Sequence, residues 1–315
     1  INDADPAAQT LNLTGAVVLG SNVSIDTAAN NNALVVTGTI NGAKAFAVTT
    51  GSGNVTVTGA AGGTTALESF SVQTSGDISV DDINASNGNG GTGTSGITLS
   101  SNGTPAANIN LNGDLTTSIN DNTNAAGNIA IYATTKVNLD DGDDQVVLNA
   151  SNTGTAAAGS VTIGGGGSVT SNTANQDGLA INTSSAGVAA NSKAIDLTAV
   201  SFSALDHISA NAGGSTITAG TTSVDDGSGN GGNAIDFTAA TINLKGNLST
   251  ADANSTGTGG NVLLTGAVVL QANITIDTRD AGAQYYVPKA TSTAATGERN
   301  RYRFPVPWEI GRAHV

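Results

Sequence analysis

Four aspartates in five positions, Asp140, Asp141, Asp143 and Asp144 around Gly142, form the densest charge cluster of the chain. Hard carboxylate oxygens this close could hold a weakly bound calcium ion. The spacing fits neither the twelve-residue EF-hand loop nor the glycine-rich nonapeptide of calcium-binding β-rolls. A solvated turn between Leu139 and Val146 accounts for it without a ligand. Asp81-Asp82 and Asp225-Asp226-Gly227 are fainter versions of the same signal.

Catalysis by acid and base needs paired carboxylates, or a basic side chain gathered with them on one surface. The four lysines before residue 285 (Lys44, Lys136, Lys193, Lys245) and Arg279 are scattered instead. His207, in Ser203-Ala-Leu-Asp-His-Ile-Ser209, reads as a solvent-facing turn residue, and no serine stands at a catalytic motif spacing from it. The stretch Gly227–Asn233 lacks the lysine and the strand–loop–helix setting of a phosphate loop. Thr-x-Thr pairs at 37/39, 56/58 and 216/218 would make an ice-binding array only at one register on successive repeats, which their spacing does not give. The sequence therefore predicts no catalytic residue and no cofactor, calcium apart. It is read as a non-enzyme.

Composition narrows the partners. A net charge of −14 puts nucleic acid and anionic lipid surfaces at an electrostatic disadvantage. With no cysteine there is no disulfide and no thiolate metal site. Aromatic residues are 3% of the chain, so the core must be aliphatic. No run has the length of a membrane-spanning helix. The chain opens at Ile1 and reads as a fragment of a longer protein.

The elements that would position any site are short strands. Apolar residues alternate with Thr, Ser, Asn and Asp in runs such as Asn22–Asp26, Asn54–Val57, Asn108–Leu111, Asn128–Ile131, Ser160–Ile163 and Thr241–Leu244, which places one side of each strand inward. Gly-Asn pairs at 53/54, 127/128, 232/233 and 260/261 precede these runs and read as corners, glycine allowing positive φ and asparagine bonding locally to backbone. A hairpin reading stays open at Asn41-Gly42 and Asn112-Gly113. Leu13–Thr27 returns as Leu264–Thr278, changed only at Gly20/Gln271, Ser21/Ala272, Val23/Ile274 and Ser24/Thr275. Ala194–Ala199 (AIDLTA) returns as Ala234–Ala239 (AIDFTA). Long reused blocks mark a repeat architecture. Taking the second spacing as two repeats gives irregular coils of roughly 20 to 25 residues, about 12 to 14 of them, in an all-β parallel β-helix or β-solenoid. One coil buries too little to offset its own conformational entropy, so coils must stack.

Two regions are expected: a repeat region over 1–285 and an irregular tail over 286–315. The tail holds five of the ten basic residues, three of the five prolines and Trp308. Its ending, Ile310–Val315, looks like translated sequencing-adapter sequence, and the tail is given no function. The segments Thr37–Val80 and Gly259–Thr278 resemble the repeat region of filamentous-haemagglutinin-type adhesins, very large bacterial surface proteins. The resemblance implies a right-handed β-helix and a non-catalytic structural or adhesive stalk, secreted or displayed at the bacterial cell surface in association with the outer membrane. Other parts of the parent protein would meet glycans or proteins of a host or neighbouring cell; this segment would bind no nucleic acid and insert in no membrane. The rival expectations are a carbohydrate-processing β-helix enzyme and a calcium-stiffened surface-layer or repeats-in-toxin-like segment.

Overall fold

The computed structural model describes residues 9–86, 96–142, 145–172, 177–224, 233–250 and 260–278. Asp143, Asp144, Asp225-Asp226, most of Gly227–Asn233, Arg279 and the tail over 286–315 lie outside them. The described residues form an all-β structure, from Thr10–Leu13 to Ile276–Asp277, with a single 3-10 turn at Ala189–Asn191 and no α-helix. One sheet system joins 24 strands, and every strand pairing among the described residues is parallel. The antiparallel contact is the isolated Ser101–Thr104 bridge. That overturns the hairpin reading of Asn41-Gly42 and Asn112-Gly113: the strands on either side of each pair bond to strands of other levels, in parallel, and not to each other.

The register sorts the strands into three columns. The first runs through Leu11, Leu34, Val55, Ile78, Ile109, Val137, Val169, Phe202, Thr222, Leu248 and Ile276. The second runs through Val17, Ile40, Ala61, Ile83, Leu115, Leu148, Ile181, Ala210, Phe237 and Leu264. The third runs through Val23, Phe46, Phe70, Ile97, Ile129, Val161, Ile195, Ile217, Ile242 and Val268. Along the described residues the columns are visited in strict rotation, first, second, third. Between the first and last levels the visits bury alternate side chains, as in Ala45–Gly51, where Phe46, Val48 and Thr50 point inward. The inward aliphatics join in one continuous core from Leu19 to Ile274, with Phe46 and Phe70 stacked at 5.7 Å between ring centres.

The expected coil length, roughly 20 to 25 residues, holds only in part. The shortest step between levels leads from Phe202 to Thr222, and the longest from Val161 to Ile195. The steps that contain residues 117–127, 150–160 or 183–194 are long because these residues leave the column and return, and strand pairing is indifferent to loop length once both ends are held. Sequence repeats also do not mark equivalent positions. Ile195 of AIDLTA lies in the third column, whereas Phe237 of AIDFTA lies in the second. The duplicated block is likewise shifted by one column: Val17 is in the second and its counterpart Val268 is in the third. All three columns ask for the same alternation of inward aliphatic and outward polar residues, so one sequence suits any of them. Ile129/Ile131 and Val137/Leu139 share the continuous strand Asn128–Leu139, which bends from the third column into the first.

Candidate functional site

The predicted calcium cluster is only partly in view. Asp140 is exposed and its Oδ2 accepts a hydrogen bond from Asn172 Nδ2 at 3.0 Å, tying one level to the next. Gly142 takes φ +72°, so the turn itself requires a glycine there. Among the described residues no group of three or more His, Cys, Asp or Glu side chains is placed to hold a metal ion.

His207 departs from the reading as a solvent-facing turn residue. It is half-buried, with Nδ1 3.1 Å from Asp206 Oδ2 and Nε2 against Gln145 Nε2. The register explains this. Gln145 pairs with Gly178, and the next rung places His207 over Gly178. The ring lies across the glycine to reach the rung beyond, and a Cβ on Gly178 would stand 2.1 Å from His207 Cε1. Beside it Asp177 is buried and bonded to Ser171 (Oγ to Oδ2, 2.5 Å), while Asp206 Oδ1 is enclosed without a hydrogen-bond partner. Both imidazole nitrogens are engaged by side chains that hold it in place.

Among the described residues the largest departure from a smooth stack is a set of three loops, 117–127, 150–160 and 183–194, on successive levels. Each starts at one recurring tetrad: Leu115-Thr-Thr-Ser118, Leu148-Asn-Ala-Ser151 and Ile181-Asn-Thr-Ser184, with Ile83-Asn-Ala-Ser86 one level earlier. Asn or Thr at the second position accepts the backbone N–H two residues on, as Asn84 does from Ser86, Asn149 from Ser151 and Asn182 from Ser184, and this turns the chain out of the column. Buried Thr117 and Thr183 then close their loops by donating to the carbonyls of Gly127 and Lys193, each at 2.6 Å. Between loops, fully buried Asn152 is the centre. Its Oδ1 accepts from the N–H groups of Asp121 (3.2 Å) and Gly154 (2.8 Å), and its Nδ2 donates to the carbonyls of Asn124 and Ala157. Asn122 Oδ1 accepts from Thr155 N–H, and Asn191 Nδ2 donates to Thr155 O. Bonds from Asn124 and Thr123 to the Asp121 carboxylate, the Asn124 backbone N–H foremost, hold its pKa below the ordinary value.

The sequence reading missed this tetrad. Its signal is the almost constant interval separating Ile83, Leu115, Leu148 and Ile181, which the AIDLTA spacing obscured. The corner asparagines also act differently from the expectation. Asn54 Oδ1 accepts from Asp77 N–H, 23 residues on, and Asn128 Oδ1 accepts from Ser160 N–H, 32 residues on. Their bonds run between levels and not to local backbone. The Thr-x-Thr pairs form no array: the outward neighbours of Thr56 are Val35 and Ser79.

The chain matches no family model, no curated protein and no solved structure. No helix among the described residues is long and apolar enough to cross a membrane.

Proposed function

We propose that the chain is a β-solenoid, a right-handed parallel β-helix, serving as a non-catalytic structural and adhesive segment of a large secreted or surface-displayed bacterial adhesin. The observation that carries the reading is the unbroken rotation of the chain through three parallel columns, in which each level is supported by those before and after it. Such a stack resists bending and gains length in proportion to its levels, which are the properties a spacer needs. Support also comes from how the polar groups are used: Asn54, Asn128, Asn152 and Asp140 bond to other levels, and His207 is held between Gln145 and Asp206. The acidic surface keeps neighbouring rods apart. The adhesive part rests on the likeness of Thr37–Val80 and Gly259–Thr278 to adhesin repeats.

The test is a display experiment. The chain is placed between an outer-membrane anchor and a reporter binding module, and capture of cells by ligand-coated beads is compared with a short flexible linker in its place. Capture is expected with the segment and a clear loss with the linker. Equal capture, or release of reducing sugar when the purified chain meets a polysaccharide panel, would overturn the reading.

A further inference from the structure

Three Asn-Gly pairs lie among the described residues, at 41/42, 102/103 and 112/113. In such a pair glycine has no side chain to shield its backbone nitrogen from the carboxamide of the residue before it. The fold treats the three differently. Asn41 Oδ1 is held by the N–H groups of Thr64 (2.9 Å) and Thr65 (3.1 Å), and Gly42 N–H donates to Thr65 O. Asn112 Nδ2 donates to Ser79 Oγ and Asp81 Oδ1, and Gly113 is buried so closely that a Cβ there would stand 2.6 Å from Asp82 N. Asn102-Gly103 is exposed at the tip of the turn Ser101–Thr104, between the third-column strand Gly96–Leu99 and the first-column strand Ala106–Leu111. Among the described residues no hydrogen bond reaches the Asn102 carboxamide or the Gly103 N–H, and a Cβ on Gly103 would meet nothing within 4 Å. The base of this turn is fixed by other residues. Ser100 is buried with its Oγ 2.7 Å from the carbonyls of Thr74 and Thr104, and Gln73 Nε2 donates to Thr104 O.

We propose that Asn102 is a site of spontaneous covalent modification, deamidation through a cyclic imide, and that the fold confines this reaction to Asn102 among the three pairs. The Gly103 nitrogen attacks Asn102 Cγ. The new C–N bond closes the imide, the bond from Cγ to the side-chain nitrogen breaks, and that nitrogen leaves as ammonia with the proton given up by Gly103. Water then opens the imide at either carbonyl, leaving aspartate or isoaspartate. The steps consume only water. Ring closure requires the carboxamide to swing over the nitrogen of the next residue. That movement breaks hydrogen bonds at Asn41 and Asn112 and none at Asn102. At the first two the reaction therefore waits for a local opening of the stack, whose free energy enters the rate directly. The product carries an added carboxylate at the turn tip, and the bonds at the base of the turn involve neither Asn102 nor Gly103.

The test follows all three sites while the full chain is held in warm, mildly alkaline buffer, native in one series and unfolded in urea in the other. Peptide mapping with fragment-ion mass spectrometry reads conversion at each asparagine. The ratio of native to unfolded rate at a site removes the influence of its neighbours in sequence. That ratio should be higher at Asn102 than at Asn41 or Asn112 by about tenfold or more. Gly103→Val adds a branched side chain beside the attacking nitrogen, at a position with open surroundings and no positive φ. It should slow conversion at Asn102 in the native chain by about tenfold, the effect of a barrier raised by about 1.4 kcal/mol. Equal ratios at the three sites, or a higher ratio at Asn41 or Asn112, overturn the proposal. Conversion at Asn102 that is as fast in Gly103→Val as in the parent chain overturns the imide route.

Discussion

Asn152 shows what a single side chain does in this protein. It is fully buried, and its four hydrogen bonds tie its own loop to the one below. Replacing it with alanine leaves the N–H groups of Asp121 and Gly154 and the Asn124 carbonyl without that partner, while the Ala157 carbonyl keeps the Ala126 N–H. Asn152→Ala should therefore lose about 1–3 kcal/mol of unfolding free energy in urea, against less than about 1 kcal/mol for exposed Asn122→Ala. A different logic holds at Gly178, where the missing side chain makes room for the His207 ring. Gly178→Ala should destabilise by displacing that ring, and His207→Ala should remove most of the penalty; additive losses in a double-mutant cycle would show that the two do not compete for one space. Asp121 supplies a pH prediction. Its folded pKa is depressed below the ordinary 3.8 by bonds from Asn124 and Thr123. The stabilisation it gives is thus present above that ordinary value and is lost as pH falls through the lower folded one. In an NMR titration the Thr123 and Asn124 amide shifts should move with a midpoint below 3.8; a midpoint at or above it contradicts the assignment.

At the scale of elements, the strands were legible and their arrangement was not fully so. Period-two runs such as Asn54–Val57 and Ser160–Ile163 contain most of the observed strands Val55–Val57 and Val161–Gly164, because alternation is a local property that burial of one side imposes. Which strand pairs with which is non-local. One level can follow another after a stretch as short as Phe202 to Thr222 or as long as Val161 to Ile195. A loop of any of these lengths costs nearly the same to close, so spacing in sequence says little about spacing in the stack. Of the candidate sites, the aspartate cluster was visible as composition, while the contact of His207 with Gln145, 62 residues earlier, required knowledge of two registers. The loops were readable in principle from the tetrads at Ile83, Leu115, Leu148 and Ile181, each ending in serine at nearly constant intervals. The inward rows carry the stability of the elements. Phe70, 0% exposed and stacked on Phe46, should cost about 3–5 kcal/mol as Phe70→Ala. The outward neighbour Ser71→Ala should change stability by less than about 0.5 kcal/mol in the same denaturant assay.

For the whole molecule the claim is one-dimensional order: distance along the stack counts levels and ignores residues. Neighbouring strands lie about 4.8 Å apart, so the first column is a ruler. On its outward row Thr56 is followed by Ser79, Asn110, Asn138, Thr170, Ser203 and Ser223 at successive levels. Cysteine is absent, so spin labels can be attached at chosen pairs without background. Dipolar electron resonance between labels at Thr56 and Thr170, four levels apart, should centre at about 19 Å, and between Thr56 and Ser223, six levels apart, at about 29 Å, allowing for a common label offset. Narrow distributions differing by two level spacings are the predicted result. Broad distributions, or two separations that do not differ by two level spacings, would contradict the stack and the function built on it.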